Sequence, residues 1–429
     1  MKEPTSGLRE LRRCRQPPRW PLPRIIRASL AIGLLFIARG VLASTITVNS
    51  TADTAADDGV CALREAIIAA NTNTASGAAA GECAAGQASP TVDTIAFNIS
   101  GSGVHTIDAA STLPPITEAV LIDGYTQPAN GGMAASPNTL SVGDNAVLLI
   151  EINGTALAPG SNLFQINGGG GSTVRGLVIN RLAGVVFDIG FSASSDNNTI
   201  SGNFVGTDQA GSTFLGSNFN PVEIRGAGNL IGGTAPAARN VIVGGNVSIL
   251  VTLPAAGNFI QGNYVGINAA GTAALQPAGG TSAIEVLASP NNTIGGTAPG
   301  AGNVLVGTAI SIRLGAGPSN NTVVQGNLIG TNATGTATAG VAAGNGIKTD
   351  NGASNNIIGG SAPGAGNVIS GGANGIILAD GAANYLIRGN KIGTDVTGTA
   401  PIPNSGVGIL AGTQALGTVI GGEIGRAHV

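Results

Sequence analysis

The chain has 429 residues; 70 are Gly, 10% are charged and only 3% are aromatic, which excludes a core built on large rings and leaves a thin aliphatic one. Residues 1–43 carry nine Lys/Arg and two Asp/Glu (9 − 2 = +7), and residues 44–429 carry ten and twenty (10 − 20 = −10), so the net charge of −3 averages two different segments. The acidic body lacks the basic face that phosphate binding needs, which argues against nucleic acid and anionic membrane surfaces as partners.

Residues 1–27 are Arg-rich, residues 28–38 form an apolar run, and Val41 and Ala43 are the small residues expected before a cut ahead of Ser44. This pattern predicts a secretory signal peptide over 1–43 and a Sec-exported protein, extracellular or at the cell surface. The run is too short to span a bilayer comfortably, and Arg39 interrupts its end, so no transmembrane segment is expected in the mature chain.

Residues 44–92 read as an N-terminal capping region. The segment "STITVNS" alternates like a strand. A short helix is expected to start at Asp58 or Gly59 and to bring Leu63, Ala66, Ile67 and Ala70 onto one face. Such a helix would close the open apolar end of a stack of repeats. Cys61 and Cys83 are the only cysteines after the leader, and in an exported chain they predict one disulfide. Closing that loop contributes about 3 kcal/mol in the chain-entropy account. A metal-binding pair is disfavoured, because no His or third Cys lies nearby.

The run "CALREAIIAANTN" resembles the Cys-Ser-Leu-Arg-Glu-Ala motif near the start of many exported bacterial repeat proteins. Cys61, Leu63, Arg64, Glu65 and Ala66 match, and Ala62 stands where Ser is usual. The later units "NTIGGTAPGAGNV" and "GNLIGTNATGT" are similar to the repeats of that family. The resemblance covers most of residues 44–422 and implies a right-handed parallel β-helix. It implies no activity that could be carried over to particular residues.

Residues 93–196 contain short β-type runs split by Gly, Asn and Pro, read as first, irregular rungs. From Asn197 onward the chain is a ladder. Ile200, Ile231, Ile260, Ile294, Val324, Ile358, Ile387 and Ile420 recur at steps of 31, 29, 34, 30, 34, 29 and 33 residues, each followed closely by Gly. Two kinds of rung alternate, one like "FIQGNYVG" and one like "NTIGGTAPGAGNV". A fixed period of this size is the mark of a solenoid. The apolar runs are two to four residues long and rich in Ile and Val, too short for ordinary helices. Gly and Asn after each run suit sharp corners. The fold class is therefore all-β: a parallel β-helix over 93–422 with a short N-terminal capping helix. The longer steps add loops such as "TDQAGSTFLGSNFNP".

Asn203, Asn263, Asn327 and Asn390 recur at one phase, and Asn240, Asn303 and Asn367 at another; both sets are expected to form stacked-amide ladders at turns. His105 is the only histidine before the last two residues, so a His-rich metal site is excluded and a Ser–His–Asp triad is unsupported. Cofactors and metals are not expected. Asp208, Asn268, Asn332 and Asp395 share a phase, and the alternation of Asp with Asn fits side-chain-capped turns better than calcium.

Two functional readings compete. The favoured one is an exported, non-catalytic surface or adhesive rod whose partner is an extracellular polysaccharide or surface glycan. Its candidate features are the charged group Lys348, Asp350, Arg388, Lys391 and Asp395, and outward rings at Phe204 and Tyr264 that could stack on sugar. The alternative is a polysaccharide lyase or glycoside hydrolase, as in other β-helices. It requires a cleft of acids near Asp108, Asp123, Glu151 and Asp188, or near Lys348 to Asp395. Finally, residues 423–429, "EIGRAHV", replace the expected repeat. They back-translate to a string resembling a common short-read sequencing adapter. They are expected not to be natural protein, and further rungs are expected beyond them.

Overall fold

A computed structural model describes residues 43–421 apart from 191–194, 217, 276–281, 316, 341–342, 351 and 414. The expected leader up to residue 42, and the tail 423–429, lie outside the described residues.

Each of the nine complete coils among the described residues lays one short strand on each of three parallel sheets. One turn runs from Thr199–Ser201 on sheet A through Phe204–Val205 on sheet B to Val222–Ile224 on sheet C. It then returns to sheet A at Leu230–Gly232. Stacking these turns gives sheets of 12, 10 and 9 strands, a parallel β-helix. The ladder residues are the sheet-A register. Ile200, Ile231, Ile260, Ile294, Val324, Ile358, Ile387 and Ile420 sit one above the next, one per coil. All but the last are buried. With β-branched side chains in register, each Ile fills the gap above its neighbour while the backbone bonds run between coils.

Corners explain the glycines. Gly262 adopts φ +68°, and a Cβ there would lie 2.1 Å from the Gly233 carbonyl oxygen. Only Gly meets both demands.

The two asparagine phases fuse into a single column at the turn between sheets A and B. Asn240 Nδ2 donates to Asn263 Oδ1 (2.9 Å), Asn263 to Asn303 (3.0 Å), Asn303 to Asn327 (2.9 Å), Asn327 to Asn367 (2.9 Å) and Asn367 to Asn390 (2.8 Å). Asn203 extends the column at 3.3 Å. The Oδ1 atoms of Asn240, Asn303, Asn327, Asn367 and Asn390 also accept the main-chain N–H of the preceding asparagine in the column, as Asn303 does from Asn263 (3.0 Å). A tight corner buries donors that no sheet can satisfy, and the amides satisfy them. A second column, Asn198, Asn229, Asn258 and Asn292, precedes the sheet-A strands. Further along the chain, the Tyr385 hydroxyl accepts from Asn356 (2.8 Å).

The N-terminal helix spans Leu63–Thr72, later than expected. Residues 56–61 cannot start it because side chains hold their backbone. Glu82 Oε1 accepts from Asp58 and Gly59, Asn49 accepts from Cys61, and Gly59 has φ +82°. Leu63, Ala66, Ile67 and Ala70 are buried as expected and share the core with Ile46 and Val48 of the first strand. The motif residues have definite structural duties. Arg64 donates to Asp53 and to the carbonyls of Ser111 and Thr112. Glu65 reaches back to the N–H groups of Ala62 and Ala56. The Cys61–Cys83 disulfide closes the segment behind them.

Candidate functional site

The outer face of sheet C carries most of the ion pairs. Glu285, Arg313 and Lys348 occupy one register on successive coils. Arg313 donates Nη1 to Glu285 (2.7 Å) and Nε to Asp350 (2.7 Å), and Lys348 lies 3.9 Å from Asp350. Nearer the N-terminus, Asp188 and Glu223 are register neighbours, and Arg225 bonds to both. Burial pushes the Asp188 and Glu285 carboxyls above the usual range, although the arginine beside each pulls the other way. Each group is thus two carboxylates stapled by a guanidinium, which balances charge on a crowded sheet face.

The expected charged cluster splits: Lys348 and Asp350 join the sheet-C group, while Arg388 and Lys391 line one depression. The sheet-C partners Arg313 and Glu285 went unforeseen. Arg388 ends a sheet-A strand, Lys391 starts a sheet-B strand, and Asp395 lies in the loop beyond. Sequence proximity misled because each coil crosses three faces within about 30 residues.

The alternative acid cleft is also divided. Asp123 pairs with Arg175 (2.6 Å) on sheet A. Glu151 on sheet B pairs with Arg181 (3.1 Å) and accepts from Asn180 and Thr106. Burial raises the Glu151 pKa, but those donors together hold it below the ordinary value. Asp108 accepts from Asn153 on sheet B, and Asp188 belongs to sheet C. These four acids face three directions. His105 is buried, and its Nε2 has no hydrogen-bond partner among the described residues. Among the described residues no group of three His, Cys, Asp or Glu side chains comes together as metal ligands.

The loops after sheet B form a second stack. Each closes on an isolated antiparallel bridge: Thr207 with Phe214, Ile267 with Ala274, Thr331 with Thr338, and Thr394 with Pro401. Backbone bonds link each loop to the next: Ala269 to Gly211, Ala333 to Gly271 and Val396 to Gly335, all 2.8 Å, with Ala274 to Ala339 (2.7 Å) as a second link between the middle pair. Asp208, Asn268, Asn332 and Asp395 cap these loops from within, each Oδ1 accepting two main-chain N–H groups. That geometry fits the capped turn.

Beneath this stack lies a second apolar column, and it corrects the reading of the rings. Phe204 and Tyr264 point away from the main core but are only 1% and 3% exposed. Val178, Val241, Val304, Ala269 and Ala333 pack with them. Neither ring face is open to a sugar. The loops cover them because a ring exposed beside an aliphatic column buries more apolar surface when folded over.

An insert, residues 136–147, docks against the same side. Arg239 Nη1 donates to the Leu140 carbonyl (3.0 Å) and Nη2 to that of Ser141 (2.8 Å), with a further bond to Gly143. Its guanidinium lies 4.4 Å from the Tyr264 ring centroid, and the Tyr264 hydroxyl accepts from Gly143 N–H (2.9 Å). In later repeats Gly302 and Gly366 take the place of Arg239, and the surface is open. Two depressions follow one another there, of about 540 Å³ and 490 Å³, sharing Gly326, Leu328 and Gly364. Turns 296–302 and 360–366 form their walls, and Val304, Leu328 and Val368 lie on their floor. Arg388 and Lys391 stand at the far end. This groove is the candidate functional site.

No protein-family model matches the chain, and no curated protein matches it. Among the described residues no helix is long and apolar enough to cross a membrane.

Proposed function

We propose that the chain is an exported β-helical rod that acts outside the cell or at its surface by binding an extracellular glycan rather than by cleaving it. The observation that carries this reading is the division of the acids. Asp123, Glu151, Asp188 and Glu285 are each tied to an arginine, on three different sheets. Glycoside cleavage needs two carboxyls facing one substrate bond, and polysaccharide elimination needs acids gathered beside a free base. The open groove, walled by glycine turns and floored by aliphatic side chains, offers an elongated surface of the kind a chain of sugars can occupy. The basic, apolar leader supports export, as does a disulfide of the type that persists in oxidising compartments.

Two measurements test this. Fractionation of cells expressing the full chain should find the protein, shortened at its N-terminus, outside the cytoplasm; full-length cytoplasmic protein overturns export. Affinity electrophoresis through gels containing single polysaccharides should retard it in at least one gel, and unchanged mobility in every gel overturns the glycan reading.

A further inference from the structure

Nine Lys and Arg side chains lie between residues 43 and 421. Six are in ion pairs with carboxylates: Arg64, Arg175, Arg181, Arg225, Arg313 and Lys348. Arg239 is taken up by the carbonyls of the insert. The remaining two, Arg388 and Lys391, have no carboxylate partner among the described residues, and both line the 490 Å³ depression. Arg388 Nε, like Arg239 Nε, is buried without a hydrogen-bond partner among the described residues. Lys391 uses one of its three N–H groups on the Val396 carbonyl and keeps two. No Asp or Glu is among the residues lining either depression.

This is an unusual concentration in a body that is otherwise acidic. Elsewhere among the described residues six cations are paired with carboxylates, and Arg239 is held by backbone carbonyls. Two cations on one small depression suit a single planar or tetrahedral anionic group, bound by charge-assisted hydrogen bonds. The neighbouring depression has no cation to spare, since Arg239 is engaged, and offers aliphatic side chains and glycine backbone instead. A densely charged polyanion is disfavoured by the net −10 of the rod.

We propose that the Arg388–Lys391 depression binds an isolated carboxylate or sulfate group carried by an extended glycan whose neighbouring sugars are neutral. The proposal rests on the glycan reading above and narrows it to one chemical class and one end of the groove.

Gln325 and Leu328 occupy the places of Arg388 and Lys391 in the preceding repeat, so the double variant Arg388→Gln/Lys391→Leu copies a coil the fold already accepts. The probes are hyaluronan oligosaccharides, which alternate a uronate with a neutral sugar, and dextran oligosaccharides of equal length. Binding is measured by calorimetry at low and high salt, with thermal melting of both proteins as the control for folding. The wild-type protein should bind hyaluronan, more weakly as salt rises. The double variant should lose at least tenfold in affinity with an unchanged melting temperature. Equal binding by the variant overturns the site. Wild-type binding to dextran alone overturns the acidic preference and leaves the glycan reading standing. Binding to neither, together with unchanged mobility in every polysaccharide gel, overturns both. Tighter binding of acidic peptides than of hyaluronan also overturns the proposal.

Discussion

Asn303→Ala removes the middle of the amide column. Asn303 is fully buried. Its Oδ1 accepts from the Asn263 main-chain N–H and from Asn263 Nδ2, both at 3.0 Å. Its Nδ2 donates to the Ile260 carbonyl (2.8 Å) and to Asn327 Oδ1 (2.9 Å). Truncation deletes all four bonds. Asn263 Nδ2 keeps the Ile231 and Gln261 carbonyls, and Asn327 Oδ1 keeps the Asn303 N–H, but the Asn263 N–H loses its acceptor. Three lost bonds at about 1 kcal/mol each, with the orphaned donor at about 1–3, give a cost of roughly 4–6 kcal/mol. Asn268→Ala is the control. It deletes a cap of similar chemistry in an exposed loop, where water replaces the lost acceptor, and should cost about 1 kcal/mol. Urea unfolding followed by circular dichroism compares the two. Amide exchange should place the damage in the coils touching residue 303, because a solenoid couples only neighbours. A loss below about 1 kcal/mol for Asn303→Ala, or one no larger than for Asn268→Ala, refutes the reasoning.

Four further outcomes are expected. Ala62 begins the helix with no side-chain cap, so Ala62→Ser should supply an acceptor for the Glu65 N–H, adding about 1 kcal/mol, read as a higher urea midpoint. Burial pushes the Asp144 carboxyl up to about 6, with Arg239 opposing, and its Oδ2 has no partner. A raised acid stabilises the fold when protonated, so that contribution is complete below about pH 4 and disappears as pH rises through 6. Asp144→Asn should therefore stabilise at neutral pH and flatten the melting profile between those values. The gain should be roughly 1–2 kcal/mol, below the full linkage value, because the amide nitrogen inherits the unpaired position. Arg239→Ala should release residues 136–147 and speed their cleavage in limited proteolysis at least tenfold, while the main core stays protected. Reducing Cys61–Cys83 should lower stability by about 3 kcal/mol and expose amides of the N-terminal helix to exchange.

The coil was legible because its two requirements, stacked aliphatic residues and left-handed corners, act on every rung and therefore recur in the sequence. The helix face at Leu63, Ala66, Ile67 and Ala70 was legible for the same kind of reason, a short-range period. The site was not. Arg313 stands 37 residues from Asp350 in the chain yet contacts it directly, and nothing local marks such a pair. The repeat phase places Phe204 and Tyr264 on the outer side of the coil, where the structure has them, but the loops that bury them are Gly-, Ala- and Thr-rich and look like ordinary exposed turns. The sequence does carry one mark of that cover. Where one inward residue per sheet-B strand would suffice, the runs "NFVG", "NYVG" and "NLIG" are apolar at two successive positions. Alternation requires one of each pair to face outward, and an unbroken outward column of such residues implies a cover.

The central claim is that this rod binds a glycan and does not cut it. The direct test is to incubate the purified full chain with a panel of neutral and acidic polysaccharides and to follow new reducing ends and unsaturated products. The acids are divided among three sheets and engaged by arginine, so the predicted result is no product above the buffer control, including with polysaccharides that retard the protein in gels. Sustained, enzyme-proportional release of either product from any member of the panel would contradict it.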